Sequence, residues 1–405
     1  MTNSLPTSLP LSKLVTEMQE SATLKMAKMA RELKAQGKDV IDLSLGEPDF
    51  DTPVHIKEAA KKALDDGYTK YTPVNGLLEL RQAIVNKLAR ENDLHYTVNQ
   101  IVVSNGAKQS VYNLCMALLD PGDEVILPAP YWVSYAEIVK MAGGVPIIAN
   151  SSIEQDFKST PEEIEALITD RTKFILYSSP CNPSGSVFSF EELQALALML
   201  QAHEHVLVVS DEIYEHINFT DRHYTIASME GMKDRTVIIN GMSKGYAMTG
   251  WRLGYIAGPD WIADACTKIQ GQVTSGASSF GQKAAAVALE SDHTPTKDMV
   301  KAFHQRRDLI INLLEQIPLL LVNRPQGAFY IFPDVSAYFG RTSTGGYHVK
   351  DADDMSLYLL SEARVSTVSG VAFGNEKCIR LSYATSDEKL KDAAERISNA
   401  LSILI

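Results

Sequence analysis

The sequence predicts an α/β fold, a sheet with crossover helices, joined to a second and smaller α+β unit. Three observations carry this expectation. Seven short, nearly continuous apolar runs lie between residues 101 and 257, as expected for strands buried on both faces. Most are separated by stretches of helical patterning, such as 106–119 and 190–203, the signature of strand–helix–strand crossovers. After about residue 290 the alternation stops. A long helical stretch (297–316), the run GAFYIFPD, a helix over 352–363, the run CIRLSYA and a final amphipathic helix follow.

In chain order, residues 1–12 (MTNSLPTSLPLS) are polar and proline-broken, a loose arm. Leu24, Ala27, Ala30 and Leu33 then recur at helical spacing up to Gln36, and Gly37 stands where a left-handed glycine ends a helix. VIDLS is a short strand broken by Gly46-Glu47-Pro48. The seven runs are IVVS (101–104), VIL (125–127), VPIIA (145–149), FILYS (174–178), VLVVS (206–210), TVIIN (236–240) and LGYIA (253–257). The expected division is 1–50 as an arm plus part of the small domain, 51–290 as the large domain and 291–405 as the small one. No internal repeat or low-complexity tract interrupts it.

Composition excludes several classes. With 45% apolar and 22% charged residues over 405 positions, the chain can bury a large core and is not disordered. A net charge of −12 without a local basic stripe argues against nucleic acid as a partner. No apolar run reaches the ~18 residues of a membrane span. The N-terminus has neither the basic nor the apolar region of a signal peptide. Cys115, Cys181, Cys266 and Cys378 lie far apart, without zinc spacing. The expectation is a cytoplasmic enzyme in a reducing compartment.

Four motifs sit where strands end, the edge at which open α/β sheets bind ligands. Gly241 to Gly254 follows TVIIN and holds Ser243, Lys244 and Arg252. A lysine there can condense with an aldehyde once deprotonated, and an arginine fork suits phosphate. A surface lysine in a glycine loop is the plainer alternative. Ser210 to Tyr214 places Asp211 at the edge of VLVVS. Buried, it needs a cation, such as a protonated pyridine nitrogen; otherwise it is a helix cap. Ser104 to Gln109 offers small residues, Gly106 and Ala107, at a helix start able to approach an anion, although many tight turns look alike. Ser179 to Gly185 fixes Asn182 between prolines, or is simply a turn. Nucleotide-loop, zinc-protease and serine-hydrolase motifs are missing. His203-Glu-His205 suggests a metal site but reads better as a solvated helix end.

Together these motifs resemble the class I, fold-type I pyridoxal-phosphate aminotransferases, within them the bacterial aspartate aminotransferase branch. The resemblance runs from Leu43 to Ser386. Gly241 to Gly254 fits the class I signature at every constrained position, and GEPDFDTP, KYTPVNG, PYWVSY, SDEIYEH, AMTGWR and IRLSYATS look like this branch. The resemblance implies a mostly parallel seven-stranded sheet in the large domain and a small domain built from both termini. It implies that Lys244 holds pyridoxal 5′-phosphate as a Schiff base and moves the substrate α-proton. Asp211 would pair with the ring nitrogen, Tyr214 and Asn182 would reach the 3′ oxygen, and Trp132 would stack on the ring. Gly106, Ala107, Ser243 and Arg252 would hold the phosphate. Tyr71 would reach the phosphate of the other subunit, implying a homodimer with shared sites. Arg380, helped by the Gly46 N–H, would take the substrate α-carboxylate; alternation along CIRLSYA turns it off the face of Ile379, Leu381 and Tyr383. Read alone, it is an exposed strand arginine.

A second substrate carboxylate needs a second cation. In this branch it is Lys108 of the phosphate turn, with hydroxyls from Ser21 and Thr23. All three are present, which favours aspartate and 2-oxoglutarate. The alternatives are a solvated Lys108 and a Thr23 that caps the first helix. Prephenate or broader aromatic and alanine transamination stays open. So do a pyridoxal-phosphate β-lyase, which would not need Thr23 and Lys108, and a non-enzymatic effector domain. Cys181 and Ser184 depart from the asparagine and threonine common in the branch, without touching any assigned role.

Overall fold

The computed structural model describes residues 11–405; residues 1–10 of the expected arm lie outside them. Among the described residues twelve strands are formed in chain order: β1 (Ile41–Asp42), β2 (Ile101–Ser104), β3 (Glu124–Pro128), β4 (Val145–Ala149), β5 (Thr172–Ser178), β6 (Leu207–Asp211), β7 (Thr236–Gly241), β8 (Gly254–Ala257), β9 (Tyr330–Ile331), β10 (Val365–Ser366), β11 (Val368–Ser369) and β12 (Ile379–Ser382). The seven apolar runs build one seven-stranded sheet, in the order β2-β8-β7-β6-β5-β3-β4. All its pairs are parallel except those of β8, which runs antiparallel to β2 and β7. Only residues 242–253, with one 3-10 turn at Thr249–Trp251, separate β7 from β8. No α-helix forms there to carry the chain back across the sheet face, and β8 pairs antiparallel.

Alternation along these strands feeds cores on both faces. Ile101, Val103, Ile238 and Tyr255 pack with the helices Val54–Asp65, Leu78–Asn92 and Ser279–Glu290. Val102, Leu127, Val209 and Ile239 face the other way, onto Ala107–Leu118 and Asp260–Val273. Ile175 and Val208 pack against the helix Phe190–Gln201. β4 departs from the expectation of two buried faces: as the sheet edge it leaves Val145 exposed.

A separate core gathers Phe303, Ile310, Phe329, Tyr358, Leu381, Ile397 and Leu401, and also Ile41 and Leu43. β1 pairs in parallel with β10, so the segment after the second helix, which follows a short one at Lys13–Glu17, is part of the C-terminal layer. The second helix spans Ala22–Ala35, and Gly37 beyond it has φ +79°, the left-handed residue anticipated there. The helix expected over 297–316 starts earlier, at Thr294, with Pro295 in its first turn. The one expected over 352–363 changes to a π turn at Leu359–Ala363. Among the described residues no helix is long and apolar enough to cross a membrane. The four cysteines are free and buried.

Candidate active site

The carboxyl ends of β5, β6 and β7 and the start of the helix Ala107–Leu118 open into one cavity of about 390 Å³. Ser21, Thr23, Gly46, Ala107, Lys108, Trp132, Asn182, Asp211, Tyr214, Ser243, Lys244, Arg252 and Arg380 all line it. Of the predicted residues, Gly106 stands just behind the lining and Tyr71 lies elsewhere.

Asp211 is the last residue of β6 and is buried. Its Oδ2 accepts the Tyr135 hydroxyl at 2.6 Å and its Oδ1 accepts the Ile213 N–H at 3.2 Å. Burial outweighs these bonds and raises its pKa to about 6. The carboxylate is thus costly to hold alone and gains from a cationic partner. Lys244, three residues beyond β7, points back across the cavity and donates to the Gly46 carbonyl. Burial lowers its pKa to about 8; Glu47 opposes this, while Arg380 and Arg252 add to it. An amine that sheds its proton near neutral pH is a nucleophile toward carbonyl carbon.

Tyr214 stands over the Lys244 ammonium, 5.6 Å from its ring centre, and its hydroxyl lies 2.7 Å from the hydroxyl of Tyr330. Arg380, on β12, is only 1% exposed, so the exposed-arginine reading fails. Its guanidinium sits 4.5 Å from the Tyr330 ring centre and 4.9 Å from that of Phe373. It donates to Asn182 Oδ1 at 2.9 Å and to the Ser44 carbonyl at 2.6 Å, while its Nε has no partner among the described residues. The acceptors are neutral, and among the described residues no carboxylate pairs with it, so burial lowers its pKa. A buried guanidinium without a counter-ion calls for an anion from outside.

At the other end, Gly106 has φ +87°, and a Cβ there would stand 2.5 Å from Arg252 Nη2. The missing side chain lets the arginine lie against the helix start. Lys108 Nζ lies 4.9 Å from the Trp132 ring centre, and burial lowers its pKa. Ser21 occupies the cap position of the helix Ala22–Ala35 without a side-chain capping bond, so Thr23 is not the cap. Four basic side chains (Lys108, Lys244, Arg252 and Arg380) thus face two acidic ones, Glu47 and Asp211, in a single cavity. Its electrostatics suit an anionic ligand.

Tyr71 is 97% exposed and lines no part of this cavity; within one chain the structure does not bring it to the site. Gly46 lines the cavity, and its carbonyl accepts from Lys244. His203 and His205 bind Glu165 and the Thr169 carbonyl just beyond the helix Phe190–Gln201, a solvated end as expected. Tyr135 and Tyr330 were not anticipated. Both lie in runs singled out for other residues, PYWVSY and GAFYIFPD, but their partners are 76 and 116 positions away.

Comparison with known proteins bears on this geometry. The family model described as aminotransferase class I and II matches residues 38–397. The chain is 47% identical to the aspartate/prephenate aminotransferase of Cereibacter sphaeroides, over 96% of this chain and 97% of that protein. It superposes on the aspartate aminotransferase of Rhizobium meliloti with a TM-score of 0.95 at 43% identity, covering 98% and 100% of the two chains. It matches that of Thermus thermophilus with maleate at a TM-score of 0.91 and 40% identity, covering 97% and 100%.

Proposed function

The chain belongs to the class I and II aminotransferases, and from that premise we propose that it is a pyridoxal-phosphate-dependent transaminase exchanging the amino group of L-aspartate with 2-oxoglutarate to give oxaloacetate and L-glutamate. The observation that carries the reading is one cavity holding a lysine lowered to about 8, an aspartate raised to about 6 and a buried arginine with no counter-ion.

These residues fit the cofactor. Its aldehyde matches Lys244, its ring nitrogen Asp211, and its phosphate the cradle of Gly106, Ala107, Ser243 and Arg252, where a side chain at 106 would collide with the arginine. Trp132 offers a ring face. Asn182, whose Oδ1 is taken by Arg380, and Tyr214 offer polar hydrogens. When bound, pyridoxal 5′-phosphate supplies a reactive aldehyde and a ring that takes up the electrons of a broken C–H bond.

The chain does the rest. Lys244 Nζ would hold the cofactor's aldehyde carbon and, as an amine lowered to about 8, would serve as the base for the substrate's α-proton. Asp211 keeps a proton on the ring nitrogen, and Tyr135 steadies its carboxylate. Arg380 binds the α-carboxylate through its fork, and Asn182, the Ser44 carbonyl and the Tyr330 ring hold that fork still. Lys108, Ser21 and Thr23 receive the distal carboxylate. The named Thermus structure carries maleate, a dicarboxylate. Prephenate is the second reading, favoured by the name of the Cereibacter relative; it too carries two carboxylates. The exposed Tyr71 supports a homodimer whose partner receives that side chain at its phosphate. Free buried cysteines support a reducing, cytoplasmic setting. The proposed division is 51–290 for the cofactor-binding domain and 291–405 for the small one, with part of 1–50, Ile41 and Leu43 among it, joining the small domain's core.

The test is spectroscopic and kinetic. Purified protein should absorb in the near-ultraviolet to visible range and bleach on adding L-aspartate or L-glutamate, and Lys244→Ala should retain cofactor without turnover. Comparing kcat/KM for aspartate, phenylalanine, alanine and prephenate sets specificity. Lys108→Ala should cost aspartate about 2–4 kcal/mol. Activity persisting in Lys244→Ala defeats the reading, and an unaffected aspartate rate in Lys108→Ala defeats the substrate assignment.

A further inference from the structure

Away from this cavity, a second one of about 610 Å³ opens where the end of the helix Leu78–Asn92, the turn after β6 and the start of the helix Thr294–Leu314 meet. Glu91, His216 and His293 line it, one from each element. Glu91 Oε2 and His216 Nε2 are 3.0 Å apart, and one ligand atom from each of the three falls within 4.8 Å of the others. Around a tetrahedral zinc ion, bonds of ~2.0–2.1 Å put ligand atoms roughly 3.3 Å apart. Glu91 and His216 already meet that spacing, and His293 needs only a side-chain adjustment.

His293 is free to make it. Among the described residues its ring makes one hydrogen bond, a long 3.4 Å contact with the Leu289 carbonyl. It occupies a helix cap position without a capping bond, while Asp292 binds Thr294 instead. The charges nearby are largely matched. The buried Lys87 lies 3.7 Å from Glu91 Oε2 but is paired with Glu215, which Asn92 and Asn240 also bind. Arg90 holds the other oxygen of Glu91 and so aims Oε2 at His216, the kind of outer contact that orients a ligand.

We propose that Glu91, His216 and His293 form a binding site for a divalent transition metal with the preferences of zinc. Two imidazoles, one carboxylate and a fourth position open to the cavity are a zinc-type donor set, and a hard cation such as Mg²⁺ is a poor match for it. The site joins three separate elements and lies directly behind the lysine loop. The His216 ring rests on Gly245, where a Cβ would come 2.7 Å from Nδ1, and Thr296 donates to the Gly245 carbonyl at 2.8 Å. Occupation therefore ties both neighbours of Gly245 together.

The experiment is equilibrium binding of zinc chloride to tag-free, cofactor-loaded protein pretreated with chelator, read against a competing fluorescent chelator, with thermal midpoints measured in parallel. The expected result is one zinc per protomer and a raised midpoint. His293→Asn keeps a good helix cap and should raise the dissociation constant at least ~10-fold and abolish the midpoint rise. Glu91→Gln should do the same. Lys244→Ala should bind zinc like the parent, which separates this site from the first cavity and from the function proposed for it. Absence of stoichiometric binding, or binding that persists in His293→Asn, overturns the proposal.

Discussion

Tyr135→Phe removes one hydroxyl, and its effect can be worked out from the geometry. The hydroxyl donates to Asp211 Oδ2 at 2.6 Å in a fully buried setting. It holds down a carboxyl that burial has raised to about 6. A hydrogen bond to a charged group contributes about 1.5–3 kcal/mol, and one pKa unit corresponds to ~1.4 kcal/mol. Losing it should raise Asp211 by about 1–2 units, to roughly 7–8. The ionised form is the one that pairs with a cationic ring nitrogen, so cofactor affinity at neutral pH should fall. The assay is titration of the apo-protein with pyridoxal 5′-phosphate from pH 5 to 9, comparing variant with parent. The acidic limb of the affinity profile should move up by about 1–2 units, with the thermal midpoint little changed. An acidic limb that stays in place would refute the role given to Tyr135.

Arg380→Lys keeps the charge but loses the fork that Asn182 and Ser44 position, and should lower kcat/KM for aspartate by at least ~2 kcal/mol, roughly thirtyfold. Steady-state kinetics checks it. Gly106→Ala forces a side chain into φ +87° against Arg252, a strain of about 1–3 kcal/mol, and should weaken binding of the cofactor and of inorganic phosphate alike, measured by calorimetry. Lys244 titrates at about 8 in the fold, below its ordinary 10.5. Between those values the unfolded chain holds more protons, so apo-protein stability should rise with pH across that window. Lys244→Met should flatten this slope in urea unfolding; an unchanged slope would mean the lysine is not desolvated.

What was legible in the sequence were features with a local cause. Continuous apolar runs marked the seven sheet strands because both faces of the sheet are covered, and small or charged residues just past those runs marked the cavity. Alternation along β12 showed that Arg380 leaves the face of Ile379 and Leu381. It could not show that Tyr330, Phe373 and the Ser44 carbonyl cover the opposite face, since these come from remote segments. The hydrogen bonds of Tyr135 and Tyr330 were hidden for the same reason. That the N-terminal segment joins the small domain was expected, but its parallel pairing of β1 with β10 was not, because the partner strand lies more than 300 residues away (Ile41 with Val365). The cluster of Glu91, His216 and His293 has no motif at all, because its members come from three helix and turn ends that meet only in the fold.

The most direct measurement is chemical. Loaded protein is reduced with borohydride, digested and sequenced by mass spectrometry. The cofactor should be fixed to the peptide containing Lys244 and to no other, and Asp211→Ala should load markedly less. Label on Lys108, or none retained after reduction, would contradict the proposal that the amine at 244 and the carboxylate at 211 share one cofactor.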